Sequence, residues 1–485
     1  MKSTVLLSTI IVLGLLAMGL GNYSGAQAPT TPPEALTGFD NQSNGFADAD
    51  RRTADQTNFE EIEHAAPDGL GPLYNAQSCR ECHQNPITGA SSQIAELRVG
   101  HLDAHGLFQT PEIPINNGAE VVKNRNLIND RAICPQIQEH VPDTETIRTT
   151  RITTSTLGDG YVEAIPDATL MKIRKDQCKT THGKICGQAV KVLVPDAEGR
   201  ERIGRFGWKD QHASLLAFAA DAYLNEMGIT NSLQKTEVTT TCNPPVTATI
   251  PNSDPTKITE PNSVPDSSGL EDIDHFASFM RSLKAPERDE VAAATKEVKD
   301  GEALFHKIGC PMCHVDTIVT GKSPAVIAGT GLHPEALENR TIHPFSDFLL
   351  HNVGTGDGIP ISLIEHFGHE RIERYLGQHP TASASTKKKV NGAVEDECSE
   401  SYQTAVLEGE KNPDLVRDTL CARNKLRTAP LWGLRVRSRL MHDGQSVELG
   451  DAIERHQGEA SDVTTRYKKL KPAQKKSVLA FLQSL

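Results

Sequence analysis

Residues 69–83 read GLGPLYNAQSCRECH and residues 301–314 read GEALFHKIGCPMCH. Each is an apolar approach into a CxxCH motif, one ending on Cys79, Cys82 and His83, the other on Cys310, Cys313 and His314. At that spacing two thiols stand one helical turn apart and can bond the two vinyl groups of one haem, while the adjacent imidazole reaches the iron from the same side. A zinc site needs four converging ligands. Here the two motifs lie more than two hundred residues apart and each has His next in sequence. The expected cofactors are therefore two covalently bound haems of c type, with His83 and His314 as the proximal iron ligands.

The likeness of the two stretches marks a weak internal repeat. Its far ends also match, residues 279–283 (FMRSL) against residues 481–485 (FLQSL). Each half then opens on an attachment motif and closes on an amphipathic helix. In the second half Pro472 stands at a helix start, followed by Val478, Leu479, Leu482 and Leu485 at helical spacing. The boundary falls between Ala285 and Ala294, giving haem domains over 38–288 and 289–485. Further helices are predicted around 54–65 and 211–227, the second with Leu215, Leu216, Phe218, Ala219 and Leu224 on a buried face. Short strands are predicted near 94–99 and 190–194. Residues 238–269, rich in Thr, Pro, Asn and Ser without a period, read as a surface excursion. The expected fold is mainly α, two cytochrome c-like haem domains with long loops and a few short strands.

A chain of 485 residues exceeds what one hydrophobic core usually organises, which agrees with two domains. Apolar residues at 37% and aromatics at 5% are lean for a large enzyme, and a large apolar cofactor would complete the core. A net charge of −13 argues against a nucleic-acid binder, because neutralising phosphates takes clustered Lys and Arg. Lys2, an apolar run from Val5 to Leu20 and small residues around Ser24, Ala26 and Ala28 read as a signal peptide over 1–28. The run is short for a membrane span, no Cys follows it to carry a lipid, and no later segment is apolar for long enough to cross a bilayer. A periplasmic protein with no membrane span after cleavage is expected, with residues 29–35 as a tether. Ten cysteines are present, six of them outside the motifs. An even remainder in an exported chain favours disulfides. Locality suggests Cys178 with Cys186 and Cys398 with Cys421, leaving Cys134 for Cys242.

Six further segments carry a resemblance: 160–167 (GYVEAIPD), 204–208 (GRFGW), 228–231 (GITN), 346–353 (SDFLLHNV), 427–434 (RTAPLWGL) and 441–444 (MHDG). In this order around two CxxCH motifs they look like the di-haem oxidoreductase family, some of whose members bear the label thiol oxidoreductase. That family belongs with the bacterial di-haem cytochrome c peroxidases and the methylamine dehydrogenase maturation enzyme, MauG. The likeness covers nearly the whole chain from Gly38 to Leu485. The thiol label finds no support, since no CxxC remains outside the haem motifs.

The resemblance implies a relay haem in the C-terminal half, with its sixth ligand on a helix shortly after the MHDG-like motif. That ligand is Met in typical peroxidases and Tyr in the maturation enzyme; the matching position here is His456. Leu449, Ala452, Ile453 and His456 share one helical face, which turns His456 inward. Met441 and His442 are rivals. A His/His haem would have a lower potential than a His/Met one. Peroxidases also carry a removable His on a loop after the first motif, and His101 with His105 lies at about that remove; a solvent-facing His there leaves the first haem open.

Proton transfer between peroxide oxygens needs an acid or base. Glu163 is the candidate, with Arg151 near it in sequence. Arg151 and Arg427 serve equally well as propionate partners, because Arg suits bidentate carboxylates. Trp208 or Trp432 could carry a hole between the haems or simply pack the core. A calcium ion between the domains is usual in the superfamily. The expected function is reduction of hydrogen peroxide at the N-terminal haem with electrons from the C-terminal one, supplied by a donor protein such as a small cytochrome or copper protein. Two alternatives stay open. One is peroxide-driven oxidation of a protein or small-molecule substrate. The other is a non-catalytic electron-transfer cytochrome with both irons six-coordinate.

Overall fold

A computed structural model describes residues 31–104, 108–194, 196, 200–242, 264–322, 329–361 and 422–485. The expected signal peptide, His105, the Cys398 and Cys421 pair and most of the 238–269 excursion lie outside these residues.

Helix boundaries follow caps more closely than hydrophobic pattern. Asp48 accepts from the Arg51 N–H and starts the helix Ala49–Glu60, ahead of the start expected at 54, because its first turn is polar and shows no period. Ser214 accepts from the Ala217 N–H at the head of Leu215–Met227, and Gly228 ends that helix at φ 71°. Thr295 caps Lys296–Ile308; Gly309, at φ 99°, ends it and turns the chain directly into Cys310. The two closing helices are Asp272–Ser282 and Pro472–Gln483.

Strand content exceeds the expectation. The fold is mixed, with 33% of the described residues helical and 16% in strands. Ala95–Leu102 is the centre of a four-stranded antiparallel sheet, paired with Phe108–Gln109, Leu127–Ile128 and Ile147–Ile152. Lys191–Val194 pairs with Arg200–Ile203. Most of the others, such as Ile113–Ile115 with Glu120–Val122, are two or three residues long, too short to show an alternating pattern.

Residues Pro33–Leu485 form one compact unit with several apolar cores. One is built only from later residues, among them Val298, Phe305, Phe345, Tyr467, Val478 and Phe481. Here the helices Lys296–Ile308 and Pro472–Gln483 pack so closely that a Cβ on Gly301 would stand 1.9 Å from the Ser477 carbonyl oxygen. A second core, around Phe46, Phe59, Tyr161, Phe276 and Phe279, also takes in Ile318, Leu337, Ile342, Phe348, Leu349 and Trp432 from beyond residue 289. Disulfides join Cys134 to Cys242 and Cys178 to Cys186. Among the described residues no helix is long and apolar enough to cross a membrane.

Candidate haem sites

At the first motif Ser78 accepts from the Glu81 N–H and caps the one-turn helix Cys79–Cys82. The next residue, His83, places Nδ1 3.1 Å from the Ala90 carbonyl oxygen. A carbonyl only accepts, so Nδ1 donates there, and the ring also meets the backbone of Thr154. Burial pushes the His83 pKa down to about 4, keeping the ring neutral. Phe59 packs edge-on against it, ring centroids 6.2 Å apart.

The second motif repeats this arrangement with other partners. His314 Nδ1 lies 2.9 Å from the Phe345 carbonyl oxygen, and burial again brings its pKa to about 4. A large cavity opens beside it, lined by Cys310, Cys313, His314 and, from the other side of the sequence, Leu449, Ala452, Ile453 and His456. The helix Leu449–Glu454 ends just before His456, whose Nδ1 is 2.7 Å from the Ala452 carbonyl oxygen. Nδ1 donates there too, so Nε2 of His456 holds a lone pair, and burial lowers this pKa too. Two neutral imidazoles, close enough for their charges to interact, therefore line one cavity. That donor set fits a haem iron.

Met441 and His442 line the cavity as well. His442 is buried, has no hydrogen-bond partner on Nδ1 among the described residues, and has a pKa brought to about 4 chiefly by burial. Arg427 lines the same space and donates from Nε to the Gly207 carbonyl at 2.8 Å. Beside it stands Arg437, which the sequence reading missed. These two guanidinium groups, Arg427 buried and Arg437 partly so, suit carboxylates such as haem propionates. Trp208 borders the cavity and donates to the Ile152 carbonyl at 2.8 Å. Trp432 borders it too, while packing into the core around Phe59 and Tyr161.

The remaining candidates sit elsewhere. Glu163 is fully buried; its carboxylate accepts from Arg281 at 2.7 and 2.9 Å and from the Leu215 N–H at 2.7 Å. Burial alone would raise its pKa, but the Arg281 charge and these hydrogen bonds outweigh it, so the carboxyl stays below its ordinary range. Arg151 is buried 2.8 Å from Asp357. His101 lies on the central strand, Nδ1 2.9 Å from Glu145. It is five residues, about 17 Å of strand, beyond Glu96, whose charge acts on Cys82.

The sequence reading also missed a clamp at the second motif. His351 places Nε2 2.8 Å from Asp347 and Nδ1 2.9 Å from Glu459, so both nitrogens donate and the ring is an imidazolium. The Cys313 sulfur lies 3.8 Å from the same Nδ1. Cys313, Asp347 and His351 form the grouping of potential metal-binding side chains among the described residues. It does not fit calcium, which takes oxygen ligands. Gln177, next to Cys178, donates to the Met312 carbonyl at 2.6 Å and ties this motif to the first half of the chain.

A family model described as "Di-haem oxidoreductase, putative peroxidase" matches residues 121–367, just over half of the chain. The protein belongs to the di-haem oxidoreductase family. Membership brings haem cofactors and an enzyme of the oxidoreductase and peroxidase kind. No curated protein matches this chain. Among solved structures, hydrazine synthase of Kuenenia stuttgartiensis is 16% identical, with 99% of this chain and 100% of that one covered and a TM-score of 0.34. The di-haem peroxidase BthA of Burkholderia thailandensis is 14% identical, over 91% and 87%, with a TM-score of 0.37. A MauG-like protein associated with microbial copper homeostasis is 16% identical, over 45% and 55%, with a TM-score of 0.22. Likeness at these scores carries no residue-by-residue correspondence.

Proposed function

We propose that this protein is a periplasmic di-haem c-type peroxidase, exported by residues 1–28 and organised as haem domains over 38–288 and 289–485. Cys79 and Cys82 would bond one haem and Cys310 and Cys313 the other; His83 and His314 would hold the irons, with His456 as the further ligand of the second. Bound there, the haems would supply the redox chemistry for reducing hydrogen peroxide at the N-terminal site with electrons that a donor protein gives to the C-terminal one.

One observation carries this reading: His314 and His456 line one cavity, and each commits Nδ1 to a backbone carbonyl and keeps Nε2 for a metal. Arg427 and Arg437 would neutralise propionates, and Trp432 borders the cavity from the core. With His101 held by Glu145, that residue would not ligate the first iron, which supports an iron open to peroxide. The alternative of peroxide-driven oxidation of a protein or small-molecule substrate uses the same residues, and product analysis with and without a reduced cytochrome separates the two.

The test is the optical and EPR spectrum of the oxidised and half-reduced protein, with and without cyanide. One haem that is high-spin or binds cyanide, beside one low-spin haem, is the expected result. Two low-spin haems that ignore cyanide in both redox states would leave an electron-transfer cytochrome.

A further inference from the structure

The last segment of the chain carries a charge opposite to that of the whole. Residues 461–485 hold Arg466, Lys468, Lys469, Lys471, Lys475 and Lys476 against a single acidic side chain, Asp462, in a protein of net charge −13. Two helices form there, Ser461–Lys468 and Pro472–Gln483, joined by a turn through Lys469, Leu470 and Lys471. Their inner side walls the second haem cavity: Val463, Thr464, Tyr467, Val478 and Leu482 line the space that His314 and His456 also line. Thr464 and Tyr467 are buried one helical turn apart, and Arg466 and Lys468 beside them are exposed. The Arg466 Nε donates to the Ile308 carbonyl at 2.7 Å, which holds the first of these helices against the segment entering Cys310.

Some of these charges are already matched. Lys475 lies 3.2 Å from Glu454 and Lys476 2.9 Å from Glu297, while Asp462 is taken by Lys184 at 2.8 Å. Lys468, Lys469 and Lys471 are exposed and have no carboxylate partner among the described residues. Three uncompensated ammonium groups thus surround one turn, about 10 Å, the width of one helix, from the cavity behind it. A lipid surface would need apolar side chains beside the charges, and none of the exposed large hydrophobic residues falls within 461–485. Single-stranded nucleic acid would need aromatic rings to stack on, and both aromatics here, Tyr467 and Phe481, are buried. A folded protein bearing surface carboxylates needs neither. The net charge of this protein repels such a partner, so the basic turn selects where it lands.

We propose that the turn at Lys468, Lys469 and Lys471 is the docking surface of the electron donor, and that the donor is an acidic one-electron carrier protein. The inference rests on the reading that a haem is bonded at Cys310 and Cys313, and deepens it by giving the donor its charge and its landing place. One electron passes per encounter, oxidising the carrier and reducing the second site by one, with no bond made or broken.

The test uses the full-length holoprotein, its mass confirming both attached haems, and one probe, an oxidised acidic copper protein of plastocyanin type. Stopped-flow mixing of the reduced protein with this probe reads the same contact surface in the reverse direction, as the probe takes one electron. Net charge alone predicts a rate that rises with salt, whereas docking on the basic turn predicts a fall of at least tenfold from low salt to about 1 M, where the screening length is about 3 Å. At low salt Lys468→Glu/Lys469→Glu should be at least tenfold slower, and Lys123→Glu/Lys235→Glu, the same change of net charge in the first half of the chain, should match wild type. Carbodiimide, which couples an amine only to a carboxylate in contact with it, should join the probe to Lys468, Lys469 or Lys471 of the wild type, a reading that does not depend on how the variants fold. A wild-type rate that is flat or rises with salt, equal slowing in both variants, cross-links only elsewhere, or binding to phosphatidylserine vesicles with no cross-link to the probe would overturn the inference while leaving the haem assignment intact. A chain mass lacking haem at Cys310 and Cys313 would remove the assignment and the inference together.

Discussion

Replacing Glu163 with Ala removes a carboxylate that accepts three hydrogen bonds and leaves Arg281, 4% exposed, without the charge it is paired to. Breaking a buried ion pair from one side costs about 3–5 kcal/mol, because the surviving charge stays buried. The Leu215 N–H at the head of its helix also loses its acceptor, a loss of about 1–3 kcal/mol when taken alone. The two overlap, so the expected destabilisation is about 4 kcal/mol, against a total stability of about 5–15 kcal/mol for a typical protein. Glu163→Gln keeps the volume and one acceptor and should cost roughly half as much. The assay is urea unfolding of the haem-loaded protein, read alongside peroxide consumption at a temperature where every variant is folded. A Glu163→Ala protein within about 1 kcal/mol of wild type that has lost peroxide turnover would refute the clamp reasoning and return Glu163 to the role of proton-transfer group. The pH dependence has a definite sign. With its folded pKa below the ordinary 4.5, Glu163 binds its proton more weakly folded than unfolded, so its contribution is present above about 4.5 and is lost as pH falls through the folded value.

Three other outcomes follow from the geometry. Changing His456 to Ala should open the second haem, giving it a high-spin EPR signal and cyanide binding; a persistent low-spin spectrum would move the ligand role to Met441 or His442. For His101→Ala, a side chain one-third exposed and paired with Glu145, the expected cost is below about 1 kcal/mol, with first-haem cyanide affinity unchanged, and a tenfold change would make His101 a ligand. Replacing both members of a disulfide with Ser should cost about 2.5 kcal/mol for Cys178–Cys186, eight residues apart, and about 5 kcal/mol for Cys134–Cys242, 108 apart, as read from denaturant midpoints.

What could be read from the sequence was what chemistry or helical spacing confines to a few neighbouring residues. CxxCH places thiols and imidazole together because one haem must be reached by all three. Leu449, Ala452, Ile453 and His456 could be aligned because helical spacing projects them onto one face. Partners far apart in the chain left no such trace. Arg281 lies 118 residues from Glu163 and Glu459 lies 108 from His351, and no periodicity joins them. The sheet was under-read for a different reason. Ile147–Ile152 reads IRTTRI, where Arg and Thr break the apolar alternation, and most other strands are two or three residues long, too short to repeat it.

The core that holds Phe59 and Tyr161 is completed by Ile318, Leu337, Phe348, Leu349 and Trp432, all from the second half. Cutting the chain near residue 288 would therefore strip several large apolar side chains from the first half and bare them on the second. The first half is then not a free-standing module in the energetic sense, although the second keeps a core of its own. Loss of the second should bring down the first, and a substitution at Trp432 should be felt on both sides of the boundary at once.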